Sequence, residues 1–197
     1  MYKYVKRVVD IMLVLLSAPL WLPVFCVVAV LVKLTSHGPV FFLQKRFGQG
    51  RRFFQIYKFR SMYVDAPKDV PTHLLKDPAA LITPVGRVIR RLSLDELPQL
   101  FNILRGELSI VGPRPALWNQ DDLIAEREKY GANDVPAGLT GLAQVSGRDE
   151  LPIAVKAAYD GEYVQKMGFF YDIWIILRTV GAAFAGSGVK EGGSANG

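Results

Sequence analysis

The sequence predicts a mostly helical α+β protein, with helices around one small β-hairpin behind an N-terminal apolar segment that enters a membrane. Three observations carry that reading. Between Asp10 and Lys33 no residue is charged, and Ser17 is the only strongly polar one. Two aromatic-rich extended runs, Val40-Phe41-Phe42 and Phe53-Phe54-Gln55-Ile56-Tyr57, flank Gly48-Gln49-Gly50, the signature of a hairpin turn. Beyond residue 83, apolar residues recur at helical spacing, with Pro and Gly at the expected boundaries.

A chain of 197 residues holds one compact domain plus an anchor. Lys and Arg number 24 against 18 acids, a net charge of +6, which suits anionic lipid headgroups, nucleotides or nucleic acid without choosing among them. The one cysteine, Cys26, lies inside the apolar segment; an intrachain disulfide is excluded, a zinc cluster disfavoured, and a cytoplasm-facing domain is the simplest reading.

A helix over the apolar segment reaches about 30 Å, enough to cross a bilayer. The run is too long for a cleaved signal peptide and no small-residue cleavage site ends it. Pro19 and Pro23 interrupt its middle, each costing roughly 3 kcal/mol in a helix interior. Both flanks are basic: Lys3, Lys6 and Arg7 before, Lys33, Lys45, Arg46, Arg51 and Arg52 after. Since positive charge prefers the cytoplasmic face, a helix-break-helix hairpin that returns to its own side competes evenly with a kinked span. The carbonyls freed at such a break need partners, from Ser17 or packed protein. Asp10 pairs with Arg7 or stays hydrated.

The remaining elements follow in order. Residues 39 to 62 read as extended, and 63 to 82, polar and Pro-punctuated, as a loop. Thr83 is an N-cap with Pro84 at the first helical position, and Arg87, Arg90 and Arg91 share one face of that helix. Leu97, Leu100, Phe101 and Leu104 keep the helical period to a Gly106 C-cap. Asn119 caps a charged helix to about Tyr130, and Gly131 to Arg148 is a glycine-rich loop. Pro152 opens a helix to about Lys166. Phe169 to Phe184 is the last helix, with Phe169, Phe170, Tyr171 and Trp174 crowded at one end as at a membrane interface or in a core. Residues 186–197 are a glycine- and serine-rich tail read as disordered. The chain thus divides into 1–36, 37–185 and 186–197.

Chemistry concentrates in Ser93-Leu94-Asp95-Glu96-Leu97-Pro98-Gln99 and Gly112-Pro113-Arg114-Pro115. Taken alone, Ser93-x-x-Glu96 is a capping box. That leaves Asp95 and Pro98 unexplained: Asp95 would sit ionised at the positive end of a helix dipole, on a turn that Pro98 makes irregular, a position suited to a nucleophile or a magnesium ligand. Arg114, held between prolines, presents a fork fitted to phosphate, although a turn arginine on the surface reads the same. Arg87, Arg90 and Arg91 read equally as a solvated face. Lys58-Phe59-Arg60 positions a phosphate or ends a strand. Tyr159, Asp160 and Tyr163 read as packing and surface, and His37 and His73 lack metal-ligand spacing.

Together these segments resemble the bacterial sugar transferase family, the monotopic phosphoglycosyl transferases acting on polyprenyl phosphate. The likeness runs from Lys6-Arg7-Val8-Val9-Asp10 to about Ser187. It takes in Gly38-Pro39-Val40, Gln44-Lys45-Arg46-Phe47-Gly48 and Tyr57-Lys58-Phe59-Arg60-Ser61-Met62, then the Asp95 and Arg114 motifs, then Pro136-x-Gly138-x-Thr140-Gly141-Leu142-Ala143-Gln144-Val145-x-Gly147-Arg148.

The resemblance implies a re-entrant membrane helix broken at a proline, and a compact cytoplasmic catalytic domain with interfacial amphipathic helices. The family's break is usually a Ser-Pro pair; here Pro23 follows Leu22 while Ala18 separates Ser17 from Pro19, so both prolines are candidates. Asp95 is implied as the nucleophile that attacks the β-phosphate of a UDP-sugar, releasing UMP, before polyprenyl (undecaprenyl) phosphate takes the phosphosugar. Glu96 assists as base or metal-orienting group, and Mg2+ binds at Asp95. Arg90 and Arg114, with Arg148 and Lys58, neutralise phosphate, and Lys45 and Arg46 hold the lipid phosphate near the bilayer. The implied setting is the bacterial inner membrane; a homodimer stays open, and nucleic acid is not an expected partner. The chain's shortness matches minimal members without extra transmembrane helices. Two rivals stay open: a membrane-tethered binding module, and an enzyme in which Asp95 only holds magnesium in a ternary complex. The sugar itself is not readable.

Overall fold

A computed structural model describes residues 2–70, 75, 77–147 and 151–184. Tyr2–Leu16 forms α1 and Ala18–Thr35 forms α2. The interruption falls at Ser17, with Pro19 in the first turn of α2, while Pro23 lies inside α2 without ending it. Ser17 Oγ donates to the carbonyl oxygens of Leu13 and Val14 at 2.6 and 3.2 Å, and Trp21 Nε1 donates to Val14 O at 3.0 Å. Two carbonyls at the break, those of Leu13 and Val14, are therefore satisfied within the segment, as a lipid setting demands.

Both ends of the segment dock on one body. On α1, Lys6, Asp10 and Val14 are spaced four apart, share a stripe and are buried. Arg7 donates to the carbonyls of Ile103 and Leu104. Asp10 accepts from Ser109 Oγ at 2.6 Å and from the Ile110 amide, so it neither pairs with Arg7 nor stays hydrated. At the other end Arg60, buried, donates to Ser36 O, Ser36 Oγ and His37 O, each at 2.7 Å. It caps the C-terminus of α2, where a cation meets unpaired carbonyls. Gly38, with φ +124°, leaves the room: a Cβ there would lie 2.0 Å from Arg60 Nη1.

Phe41–Phe47 (β1) and Phe53–Phe59 (β2) pair antiparallel, Phe41 opposite Phe59 and Phe47 opposite Phe53, the predicted hairpin. The 63 to 82 loop contains a short helix, α3 (Pro78–Leu81), capped by Asp77. Thr83 caps α4 (Pro84–Arg91) as expected, its Oγ1 accepting from Gly86 N at 2.9 Å. α5 (Gln99–Arg105) ends at Gly106 with φ 82°. Its fully buried Asn102 holds β2 edge-on, accepting from Tyr57 N and donating to Gln55 O. Asp121–Glu128 is α6, capped at Gln120. Asn119 instead donates to Asp69 O, so the expected cap is one residue early.

The span read as one glycine-rich loop holds structure as well. Gly138–Thr140 (β4) pairs parallel with Ser109–Val111 (β3), and Leu142–Ser146 is α7. Strands of three residues carry no readable period, and their partners lie far off in the chain. Gly112 is required at this crossing, since a Cβ would sit 2.3 Å from Pro136 O. α8 (Ile153–Lys166) and α9 (Phe169–Phe184) start and end where the sequence places them.

Hydrophobic packing runs across residue 36. Val14 of α1 joins Ile103, Leu108 and Ala137, and Val28 and Val32 of α2 join Phe59 and Ile89. Elsewhere α2 is exposed and apolar, at Leu20, Val24, Val27, Val30, Leu31 and Leu34. It is the one helix among the described residues long and apolar enough to cross a membrane. On α9, Phe170, Trp174, Leu177 and Val180 are exposed, and Arg178 lies over Trp174, an amphipathic face of the interfacial kind.

Candidate active site

The turn joining α4 to α5 is a single 3-10 turn, Leu94–Glu96. It begins at Ser93, whose φ of 55° is left-handed, a costly conformation for a side chain other than Gly, Asn or Asp. Ser93 N donates to Arg90 O at 3.0 Å, so the chain reverses past α4. This geometry replaces the capping box: Ser93 makes no side-chain cap, and Glu96 faces cations instead of Ser93. A three-residue turn also lacks the dipole that would hold Asp95 ionised.

Glu96 Oε1 accepts from Lys58 Nζ at 2.7 Å and from Arg114 Nη2 at 3.3 Å. Burial opposes its charge, but these two cations hold the carboxyl well below the usual carboxylate range. Asp95, the next residue, is buried and takes no hydrogen bond from any described residue. Burial pushes its carboxyl up to about 6; Lys58, Arg90 and Arg114 pull against that, and the charge of Glu96 adds to it. Two adjacent carboxylates thus divide their roles. Glu96 is bound by two cations and held anionic, whereas Asp95 takes no hydrogen bond from a described residue and is still mostly ionised at neutral pH.

Arg114 is mounted rigidly. Four successive carbonyls around it are occupied: Pro113 by Gly138 N, Arg114 by Arg127 Nη1, Pro115 by Arg46 Nη1 and Ala116 by Phe47 N, at 2.8 to 3.0 Å. Arg127 is itself held by Asp160, with Nε and Nη2 at 2.7 and 2.6 Å from Oδ2. Asp160 is therefore not a surface residue, and it anchors Arg114 at one remove. Neither Arg127 nor Asn102 stands out in the sequence; a buried pair 33 residues apart leaves no local pattern.

The structure thus gathers Asp95, Glu96, Lys58 and Arg114, with Arg90 near enough to act on Asp95. Lys45 stands apart: by strand alternation it faces away from Lys58, and it lies 4.3 Å from the Phe53 ring centroid and 5.4 Å from that of Trp118. Arg46 serves Pro115 and Gln44, and Arg60 serves α2. Arg148 and His73 lie outside the described residues, as does the 186–197 tail. No cluster of three or more His, Cys, Asp or Glu among the described residues makes a metal cage. Mg2+ nevertheless fits here, because it is commonly bound by one or two carboxylates together with substrate phosphates, and Asp95 is a carboxylate that takes no hydrogen bond from a described residue.

The family model of the bacterial sugar transferases matches residues 1–186. The chain belongs to that family. Among its relatives, the exopolysaccharide production protein ExoY of Sinorhizobium fredii is 36% identical over 90% of this chain and 84% of its own length. A UDP-N-acetylgalactosamine-undecaprenyl-phosphate N-acetylgalactosaminephosphotransferase of Aeromonas hydrophila is 37% identical over 96% of this chain. A UDP-glucose:undecaprenyl-phosphate glucose-1-phosphate transferase of Escherichia coli is 39% identical over 92% of it. The chain spans 46% and 40% of the length of those last two. Family membership thus goes with a site that gathers two neighbouring carboxylates, Asp95 and Glu96, with Lys58 and Arg114.

Proposed function

We propose that the protein transfers a sugar 1-phosphate from a UDP-sugar to polyprenyl phosphate in two steps, with Asp95 as the covalent nucleophile. What carries the reading is the contrast within one turn: Glu96 is tied to Lys58 and Arg114, while the buried Asp95 takes no hydrogen bond from a described residue. A carboxylate oxygen of Asp95 attacks the β-phosphorus, the bond from that phosphorus to the bridging oxygen breaks, and UMP leaves with the electron pair. A phosphate oxygen of the lipid then attacks the aspartyl-phosphosugar. The Asp95 carboxylate departs and the sugar is left on a lipid diphosphate.

Two anions must meet at each step, so the surrounding cations lower the barrier. Arg114, held by the Arg127–Asp160 pair, is placed to neutralise the transferring phosphoryl group together with Arg90. Lys58 and Glu96 orient one another beside Asp95 and set its charge. When bound, Mg2+ would supply further charge neutralisation of the donor diphosphate at Asp95.

The docking of both ends of the α1–α2 segment on one body, with the Leu13 and Val14 carbonyls at the break satisfied, supports a re-entrant hairpin over a span. That geometry seats the reaction at the headgroup plane on the cytoplasmic side of the inner membrane, as an early membrane step of glycoconjugate assembly. The test is UMP release from a panel of UDP-sugars with Mg2+ and no acceptor, alongside intact mass. A stoichiometric burst and a phosphosugar adduct, both lost in Asp95→Asn, support the covalent route. Turnover with acceptor but neither burst nor adduct would replace it with a ternary complex.

A further inference from the structure

α2 and α4 enclose an apolar groove of about 580 Å³, within the size range of small-molecule sites. Val24, Val27 and Leu31 form one wall, Val85 and Val88 the other, and Leu94 lies at its lining next in sequence to Asp95. Val24, Val27, Leu31 and Val88 are exposed, so the groove is continuous with the apolar surface that α2 offers to lipid. The helix that supplies Val85 and Val88 also carries Arg87, Arg90 and Arg91, and Arg90 O accepts from Ser93 N at 3.0 Å where the turn bearing Asp95 begins. The groove therefore calls for an occupant with an apolar chain and an anionic group at its end.

We infer that this groove seats the phosphate-proximal isoprene units of the polyprenyl phosphate acceptor, delivering its phosphate to Arg90 and Asp95. The inference rests on the acceptor reading above and adds where the acceptor's chain lies. In a single-chain lipid the phosphate ends the chain, so tail in groove and phosphate at Asp95 are satisfied together. A two-chain phospholipid would leave its second chain unplaced.

The test compares KM for dimethylallyl, farnesyl and undecaprenyl phosphate, with the full chain in detergent micelles. Val27→Trp and Val88→Trp fill the groove from exposed positions, and Val30→Trp is a control on α2 outside the lining. For wild type, KM falls as the chain lengthens. The two groove variants raise KM for farnesyl and undecaprenyl phosphate about tenfold, with a smaller rise for dimethylallyl phosphate, whose single unit fills only the end of the groove nearest Asp95, and Val30→Trp matches wild type. Groove variants as good as wild type on the long acceptors overturn the assignment. So does inhibition by dioleoyl phosphatidate that Val88→Trp relieves, which would make the groove a phospholipid seat. A shift of oligomeric state with unchanged KM also overturns it, in favour of contact between two copies. A wild-type protein silent with every acceptor and donor would instead defeat the acceptor reading itself.

Discussion

Two regions of this molecule bury carboxylates beside cations, and they treat them in opposite ways. At the base of α1, Asp172 accepts from Tyr2 and Lys6, each at 2.6 Å, and from Tyr163 at 2.9 Å, while Asp10 accepts from Ser109 and Ile110. Every one of those carboxylates is saturated, and together they weld α1 to α8, α9 and β3. At the α4–α5 turn Glu96 accepts from Lys58 and Arg114 at one oxygen, and Asp95 is buried without a hydrogen bond from a described residue. The lesson is that burial alone does not mark chemistry. Burial among several cations without a hydrogen bond from any described residue does, because such a group raises the free energy of the resting fold and is kept for another partner.

That comparison breaks most decisively if Asp95→Asn retains activity. The expected loss is about 10^4-fold or more in kcat, as for removal of a nucleophile, measured as UMP release with acceptor present. At the other region the expected effect is on stability with the site intact. Lys6→Met leaves Asp172 buried without its cation and costs about 3–5 kcal/mol, read as the midpoint of denaturant unfolding in micelles. If Lys6→Met instead removed activity without lowering stability, the welding account of α1 would fail.

A smaller effect sharpens the contrast at Asp95. Its carboxyl titrates at about 6 in the folded chain, against 3.8 for an ordinary aspartate, so between about pH 4 and 6 the folded chain holds the extra proton. Stability therefore falls as pH rises through that window, and the penalty persists above it. Asp95→Asn should be more stable than wild type at pH 7.5 by about 3 kcal/mol, with the gap closing near pH 4. In wild type, kcat/KM should fall tenfold per pH unit below about 6 as the nucleophile protonates. The smallest expected effect is a displacement of that limb. Glu96→Gln removes a like charge that pushes Asp95 up, so the limb moves to lower pH; an unmoved limb would mean that Asp95 is not the titrating group.

Much of the fold was legible because it rests on local signals. Thr83-Pro84, the Leu100–Leu104 spacing with Gly106, Pro152 and the aromatic start of α9 each act within a turn of their own backbone. The hairpin followed from its aromatic runs and glycine turn. The motif residues Asp95, Glu96, Lys58 and Arg114 were also legible, and they do meet. What was misread was read locally: Ser93-x-x-Glu96 has capping-box spacing, yet Ser93 is left-handed and Glu96 binds Lys58 from 38 residues away. Lys45 and Arg46 belong to one basic run, but strand alternation points them to opposite faces, toward different neighbours.

By itself, the sequence determined the bounds of α8 and α9, the start of α4, the end of α5, the broken apolar segment, the hairpin and the identity of the acids and bases in play. Only the tertiary structure decided that the apolar segment is interrupted at Ser17, that Arg60 closes α2 and that Arg127 and Asp160 hold Arg114. It also decided which of two neighbouring carboxylates Lys58 and Arg114 bind. The physical reason is range. Caps, turns and periodicity are settled by neighbours a few residues away, whereas the charge state and hydrogen bonding of a buried side chain depend on groups brought from anywhere in the chain.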